Sequence, residues 1–269
     1  MNSQLIITHP GSAHFDEVSA VSLILAFYKD SEFRIERRDP SRSELENPSI
    51  WIIDTGNRYE PEKLNFDHHQ SLDCPAGFVL VADYLHLRET LAVLPWWHFK
   101  DYVDRFGPVA ASKKFNAGDD LINQNPVENW LVDRFSVEPQ NCIPLLKSFG
   151  TSIIENALAL KRQVDYCKSC PRLFIAGVPA VIGENRESYG LEEFRRLGEN
   201  PPDIVISLDR RSDGWRLYRY EGSPVDFSLI ANHPQIEFAH KTGFMAKTKE
   251  RISIDELKTL IAKAIILRL

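Results

Sequence analysis

Histidines and aspartates gather at three places in the N-terminal part of this 269-residue chain. THPGSAHFDE (Thr8 to Glu17) carries His9, His14 and Asp16; IIDTG (Ile52 to Gly56) carries Asp54; FDHHQ (Phe66 to Gln70) carries Asp67, His68 and His69. Imidazole with carboxylate suits a divalent transition ion such as manganese, with magnesium or zinc as alternatives. His9 and His14 stand five residues apart, so their loop must fold for both to reach one ion, and Pro10-Gly11 is suitable material for that. Read alone, the first stretch is better explained by one histidine capping a helix and the other facing solvent. Asp54 before Gly56 is explained about half the time as a turn former. Two adjacent histidines after an aspartate are rarer, and such a triplet can divide between metal, phosphate and supporting hydrogen bonds.

The elements around these residues decide between the readings. Leu5 to Thr8 is a short apolar strand that runs into the first loop, and Asp16 and Glu17 open a helix, Val18 to Lys29, with acids at the positive end of its dipole. Phe33 to Arg37 is a second strand. Ser49 to Asp54 is a third, too uniformly apolar for a one-sided sheet and so central. This order predicts an α/β fold with a doubly wound, mainly parallel sheet, whose ligands sit beyond the carboxyl ends of the strands. His9 and Asp54 fall there. Helical patterning continues from Phe78 to about Phe106, Ala117 to Val127 reads as a loop, Asn129 to Val137 as a short helix, and Cys142 to Tyr166 as the longest helix. Trp96, Trp97 and Phe99 read as core or interface aromatics, which leaves a homodimer open.

After Pro171 the pattern changes to strands at Leu173 to Ile182, Ile204 to Leu208 and Trp215 to Tyr220, a helix around Leu191 to Leu197, and a last helix from Asp255 to about Leu267 with Ser253 as its cap. The expected domains are 1–165, metal-binding and catalytic, and 166–269, a smaller α+β domain that binds substrate. Net charge is −6, from 32 basic and 38 acidic residues, which speaks against a broad surface for duplex nucleic acid. No apolar run approaches the roughly 18–20 residues of a membrane helix. The start, MNSQLIITHP, has no basic leader, so a cytoplasmic location is expected. Cys74, Cys142, Cys167 and Cys170 are too scattered for a disulfide framework or a zinc ribbon, and Cys167-Lys-Ser-Cys170 reads as structural.

The combined motifs resemble the DHH (Asp-His-His) phosphoesterase superfamily, and more narrowly its Myg-like branch, the melanocyte-proliferating-gene-type metal-dependent hydrolases. The matching pieces are THPGSAHFDE, RRDP at Arg37 to Pro40, and IIDTGNRYEPEKLNFDHHQ, with FAHKTGF at Phe238 to Phe244 as a late echo. The resemblance implies two divalent ions. His9, His14 and Asp54 would hold one, and Asp16, Asp54 and His68 the second, with Asp54 shared. His69 would face the phosphate and Asp67 would orient the histidines. A later aspartate should complete the site, with Asp104 first choice and Asp101 second. His240, Lys241 and Gly243 would meet the substrate, helped by Lys247; Arg210, Arg211, Arg216 and Arg219 are better read as a solvated basic face. The implied activity is phosphodiester hydrolysis, as a 3′-to-5′ exoribonuclease or a hydrolase of short single-stranded RNA, other oligonucleotides or small phosphate esters. Pyrophosphate or nucleotide hydrolysis is the enzymatic alternative. A catalytically inactive metal-holding protein is the non-enzymatic one.

Overall fold

The computed structural model describes residues 3–117, 125–187, 190–198 and 200–266. Most of the loop expected at Ala117 to Val127 lies outside the described residues, whereas the last helix, expected to run to about Leu267, ends at Ala262, where the chain turns into a bridge between Ile265 and Val225. The chain divides into two compact units, Met1–Ala159 and Leu160–Leu269.

The first unit is built on β1 (Gln4–Thr8), α1 (Phe15–Phe27), β2 (Phe33–Arg37), α2 (Arg42–Leu45), β3 (Ile50–Ile53), β4 (Tyr59–Glu60) and β5 (Asn65–Phe66). Its sheet runs β2-β1-β3-β5-β4, with every pair parallel except the outermost, β4 with β5. The mainly parallel α/β sheet expected from the apolar runs is present. Burial on both faces explains those runs: Ile6, Ile7, Ile52 and Ile53 are fully covered. The chain passes from β1 to β2 on one side and then to β3 on the other. The ends of β1 and β3 therefore flank the crevice where the strand order reverses.

Helix α1 is buried through Asp16–Leu25, more than a single apolar stripe requires. A close helix crossing accounts for the rest: a Cβ on Gly150 would lie 2.0 Å from the Ser22 carbonyl oxygen. The continuous helical pattern expected from Phe78 to Phe106 is broken into α3 (Gly77–Tyr84), α4 (Arg88–Leu91) and α5 (Trp97–Phe106). His86 in the left-handed region (φ 57°) ends the first, and Pro95 precedes the last. Trp97 is core, 1% exposed, with its ring edge-on to Phe78. Then follow α6 (Pro108–Phe115), α7 (Pro126–Val137) and α8 (Ile143–Ser169), within which the two units divide. Just before α8, the Gln140 side chain pairs with the outer strand: its Oε1 accepts from Ile35 N at 3.0 Å, and its Nε2 donates to Phe33 O at 3.4 Å.

The second unit contains β6 (Arg172–Ile175), β7 (Val178–Ile182), α9 (Leu191–Leu197), β8 (Ile204–Leu208), β9 (Trp215–Arg219), β10 (Ile236–Ala239), β11 (Met245–Thr248) and α10 (Ile254–Ala262). Its sheet order is β10-β11-β9-β8-β7-β6, antiparallel except for β7 with β8. The segment read as one strand, Leu173 to Ile182, is a hairpin. Ala176 (φ 47°) and Gly177 (φ 86°) make its turn, and alanine there gives no turn signal in sequence. Ser253 caps α10 as expected, accepting from Glu256 N at 3.3 Å.

Candidate metal centre

His9 follows β1, and its Nδ1 lies 2.6 Å from Pro10 O. His14 is the N-cap residue of α1, and Asp16 and Glu17 occupy its first turn. Asp54 directly follows β3 in the left-handed region (φ 56°), a conformation aspartate tolerates better than most residues. This turns the carboxylate off the strand end towards the histidines. Its Oδ2 lies 3.6 Å from His9 Nε2; its Oδ1 lies 3.4 Å from His68 Nε2 and 3.6 Å from His69 Nδ1. Asp54 therefore stands between the first loop and the Asp-His-His triplet.

His68 is the second focus. Its Nε2 lies 2.9 Å from Asp104 Oδ2, 3.4 Å from Asp54 Oδ1 and 3.7 Å from Asp16 Oδ2. Asp104 thus joins the cluster. Asp101, about one turn earlier on α5, is used elsewhere. Its Oδ1 accepts from Ala76 N at 2.9 Å, and Arg105 donates from Nε to Leu72 O at 3.0 Å. These bonds fasten the loop after His69 to the helix that delivers Asp104. Asp16 is held from behind, its two oxygens accepting from Gly77 N at 2.9 Å and Phe78 N at 2.6 Å at the start of α3. A Cβ on Gly77 would come within 2.9 Å of Asp16 Oδ2, so this residue has room for hydrogen only. Asp67 points the other way. Its Oδ2 accepts from Asn57 N at 2.6 Å, and its Oδ1 accepts from His69 N at 3.0 Å and meets His69 Nδ1 at 2.7 Å. The His69 side chain is 60% exposed, and its Nε2 is left free of that bond.

The electrostatics are those of crowded acids. Burial, and then the charges of Asp104 and Asp54, hold the Asp16 carboxyl well above the usual range. Burial also pushes Glu17 up to about 8, against the pull of Arg37. Burial alone would lower His68, but the facing carboxylates of Asp104 and Asp54 outweigh it and push the imidazole up to about 11. Burial would raise Asp67, yet the backbone and ring bonds from His69 outweigh it and lower it.

Among the described residues, three sets of donors converge closely enough to hold an ion: His9, His14 and Asp54; Asp54, His68 and His69; Asp16, His68 and Asp104. His9 Nε2, Asp54 Oδ1 and Asp104 Oδ2 are buried and make no well-formed hydrogen bond to any of the described residues. Buried polar atoms are rarely left so, and mixed imidazole and carboxylate donors facing one space fit a divalent cation.

In the second unit, His240, Lys241 and Gly243 share the turn between β10 and β11. His240 Nδ1 meets Thr242 Oγ1 at 2.9 Å and Thr242 N at 3.2 Å, and Lys241 is exposed. Gly243 (φ 66°) has its own structural cause, since a Cβ there would overlap Asp226 Oδ1 at 1.8 Å. Lys247, expected to help with substrate, and two of the arginines read as a solvated face are used internally. Lys247 pairs with Asp209 at 2.7 Å, Arg216 is 7% exposed and donates to Ser207 Oγ, and Arg219 donates to Gly243 O at 3.2 Å. Burial pushes the Cys167 thiol up to about 11 and raises Cys170 as well, so neither is poised as a thiolate.

Sequence reasoning passed over Glu17, taking it only as a helix-start acid. It is fully buried, with Oε2 3.4 Å from His9 Nε2. The signal for it was its place three residues after His14, followed directly by the apolar VSAVSLIL.

Strand ends, crossover and clustered donors together define an α/β unit with a candidate metal site, and known proteins share its motif-bearing segment. Residues 5–74 match the MYG1_exonuc model, described as an uncharacterised protein family (UPF0160), which shows the resemblance over the segment that carries the motifs. The chain is 42% identical over 85 residues to a MYG1 protein of Chlamydia trachomatis and 39% identical over 107 residues to a MYG1 protein of Dictyostelium discoideum. These matches cover 29% and 38% of this chain, and the chain spans only 27% and 30% of those relatives' lengths. The human MYG1 exonuclease matches at 38% identity over 65 residues, 23% of this chain and 16% of that protein. Among solved structures, a pGpG-specific phosphodiesterase from Vibrio cholerae aligns over 96% of this chain and 98% of its own, at 12% identity and a TM-score of 0.32. RecJ in complex with Mn2+ from Thermus thermophilus aligns over 98% of this chain and 53% of its own, at 10% identity and a TM-score of 0.28.

Proposed function

We propose that this protein is a metal-dependent phosphoesterase that hydrolyses phosphodiester bonds in short single-stranded RNA or other oligonucleotides, using two divalent ions, with manganese preferred. The observation that carries this reading is Asp54. One buried carboxylate lies within 3.6 Å of His9, His68 and His69, and its Oδ1 makes no well-formed hydrogen bond to any of the described residues. His9 and His14 would hold the first ion; Asp16, His68 and Asp104 the second; Asp54 would serve both.

When bound, such ions lower the pKa of a water and neutralise phosphate oxygens. The chain's own residues then have narrower roles. Asp67 takes the backbone amide and Nδ1 of His69, which leaves the ring's Nε2 free for a phosphate oxygen. The α3 amides keep Asp16 turned towards His68. In the second unit, His240 and Lys241 on the turn between β10 and β11 would be the groups that bind phosphate. The relative named for exonuclease activity supports this substrate class. So does the net charge of −6, which favours a short ligand over a long polymer.

The test is release of mononucleotides from a labelled short RNA by protein loaded with manganese. His68→Ala should abolish release, and His240→Ala should raise KM more than it lowers kcat. RNA left intact while pyrophosphate is hydrolysed would replace this substrate class with the smaller one. Full activity in His68→Ala would remove the metal reading altogether.

A further inference from the structure

Glu17 has no place in either ion position, yet it is the acid packed most closely against the first. Its Oε2 is buried, makes no well-formed hydrogen bond to any of the described residues and faces His9 Nε2 at 3.4 Å. Its Oε1 accepts from His14 N at 3.2 Å and meets Arg37 Nη2 at 3.2 Å. Arg37 ends β2, its side chain is 6% exposed, and its guanidinium lies over the Phe135 ring at 5.2 Å. The same Nη2 donates to His9 O at 3.0 Å and Gly11 O at 3.1 Å. One buried cation thus fastens the loop that carries His9 and the acid that abuts its ring.

Helix stability does not require this arrangement. An exposed acid in the first turn would complement the helix dipole as well, without the desolvation cost of a buried one. Keeping an acid at this depth, beside the ring of His9, makes physical sense where a cation is to sit nearby. His9 is gripped from two sides: Pro10 O lies against Nδ1, and Glu17 lies beside Nε2.

We propose that Glu17 and Arg37 act together as positioning residues for His9, fixing its ring orientation and the fold of its loop before an ion arrives. The proposal rests on the two-ion reading above and adds a supporting layer behind it. Supporting partners of metal ligands, when removed, commonly cost about 10- to 100-fold in metal affinity.

The experiment titrates manganese into metal-free protein by calorimetry and records the visible spectrum of the cobalt-substituted protein. It compares wild type, His9→Ala, Glu17→Gln and the double variant Glu17→Gln/Arg37→Met. The double variant removes the buried acid and the buried cation together, so it should fold even if the single one does not; its melting temperature without metal checks this. The expected result is a loss of manganese affinity of about 10- to 100-fold in a folded variant, with a shifted cobalt spectrum. Wild-type affinity and an unchanged spectrum in the folded double variant, with binding weakened by His9→Ala, would overturn the positioning role and leave the metal reading standing. Binding unaffected by His9→Ala, or no uptake by wild type, would overturn both.

Discussion

Both units bury charge, and they treat it in opposite ways. In the second unit, Asp209 receives Lys247 at 2.7 Å, Arg211 N at 3.2 Å and Ser212 Oγ at 3.1 Å, while Arg216 donates to Ser207 Oγ at 3.1 Å and Glu187 O at 3.2 Å. In the first unit, Asp16, Glu17 and Asp54 are all buried, and Asp104 reaches the same histidine as Asp16 and Asp54. Atoms with no well-formed hydrogen bond to any of the described residues remain there on His9, Glu17, Asp54 and Asp104. Satisfied buried charge holds a structure together. Like charges left crowded and short of partners hold a place for something else.

The sharpest way to break this contrast is the same substitution in each unit. Asp54→Asn keeps the shape and suits the left-handed backbone at φ 56°. It should lower manganese-dependent hydrolysis about 1,000-fold, equivalent to about 4 kcal/mol, and should not lower the melting temperature of the metal-free protein. Asp54→Asn with normal turnover would mean that the crowded acids are only architecture.

The next effect is on pH. The folded His68 lies near 11, above its ordinary 6.5, so its contribution to the metal-free fold is full below about 6.5 and lost as pH rises through about 11. Glu17, raised from 4.5 to about 8, follows the same sign and loses its contribution over that lower window. Ion binding must expel these protons and so strengthens with pH. The gap in melting temperature between manganese-loaded and metal-free protein should therefore widen from pH 6.5 to 8, reaching the equivalent of about 2.7 kcal/mol at a hundredfold excess over Kd. Scanning calorimetry across that range decides it; a constant gap would mean that no proton leaves.

The smallest effect is in the second unit. Burial would raise Asp209, but its bonds to Lys247 and Arg211 N outweigh this and lower it below the ordinary 3.8. Its contribution is thus present above that value and lost as pH falls below it. Asp209→Asn should cost about 1–3 kcal/mol in urea unfolding at pH 7, with no change in manganese affinity, and the cost should fade on acidification. An equal cost at both pH values would show that the carboxylate charge is not what stabilises this sheet.

Much of the centre was legible in sequence because parallel strands place whatever follows them at one rim: His9 after β1, Asp54 after β3, His68 after β5. Asp104 could not be read that way, since a helix face carries acids for many reasons, and only the family resemblance singled it out over Asp101. Glu17 was hidden because an acid in a first helical turn already has an explanation. β4 and β5 are two residues each, too short for any periodicity. The Ala176-Gly177 turn and the pressure of Asp226 on Gly243 depend on backbone angles and on contacts between distant residues, which no local pattern encodes.

Gln140 carries a consequence for how copies of the molecule behave together. A parallel sheet ends in a strand whose open amides and carbonyls would accept a strand from any neighbour, the route by which folded chains begin to polymerise. Here one side-chain amide takes up Ile35 N and Phe33 O, filling the rung a foreign strand would need first. A strand added along this part of β2 would have to displace that glutamine first.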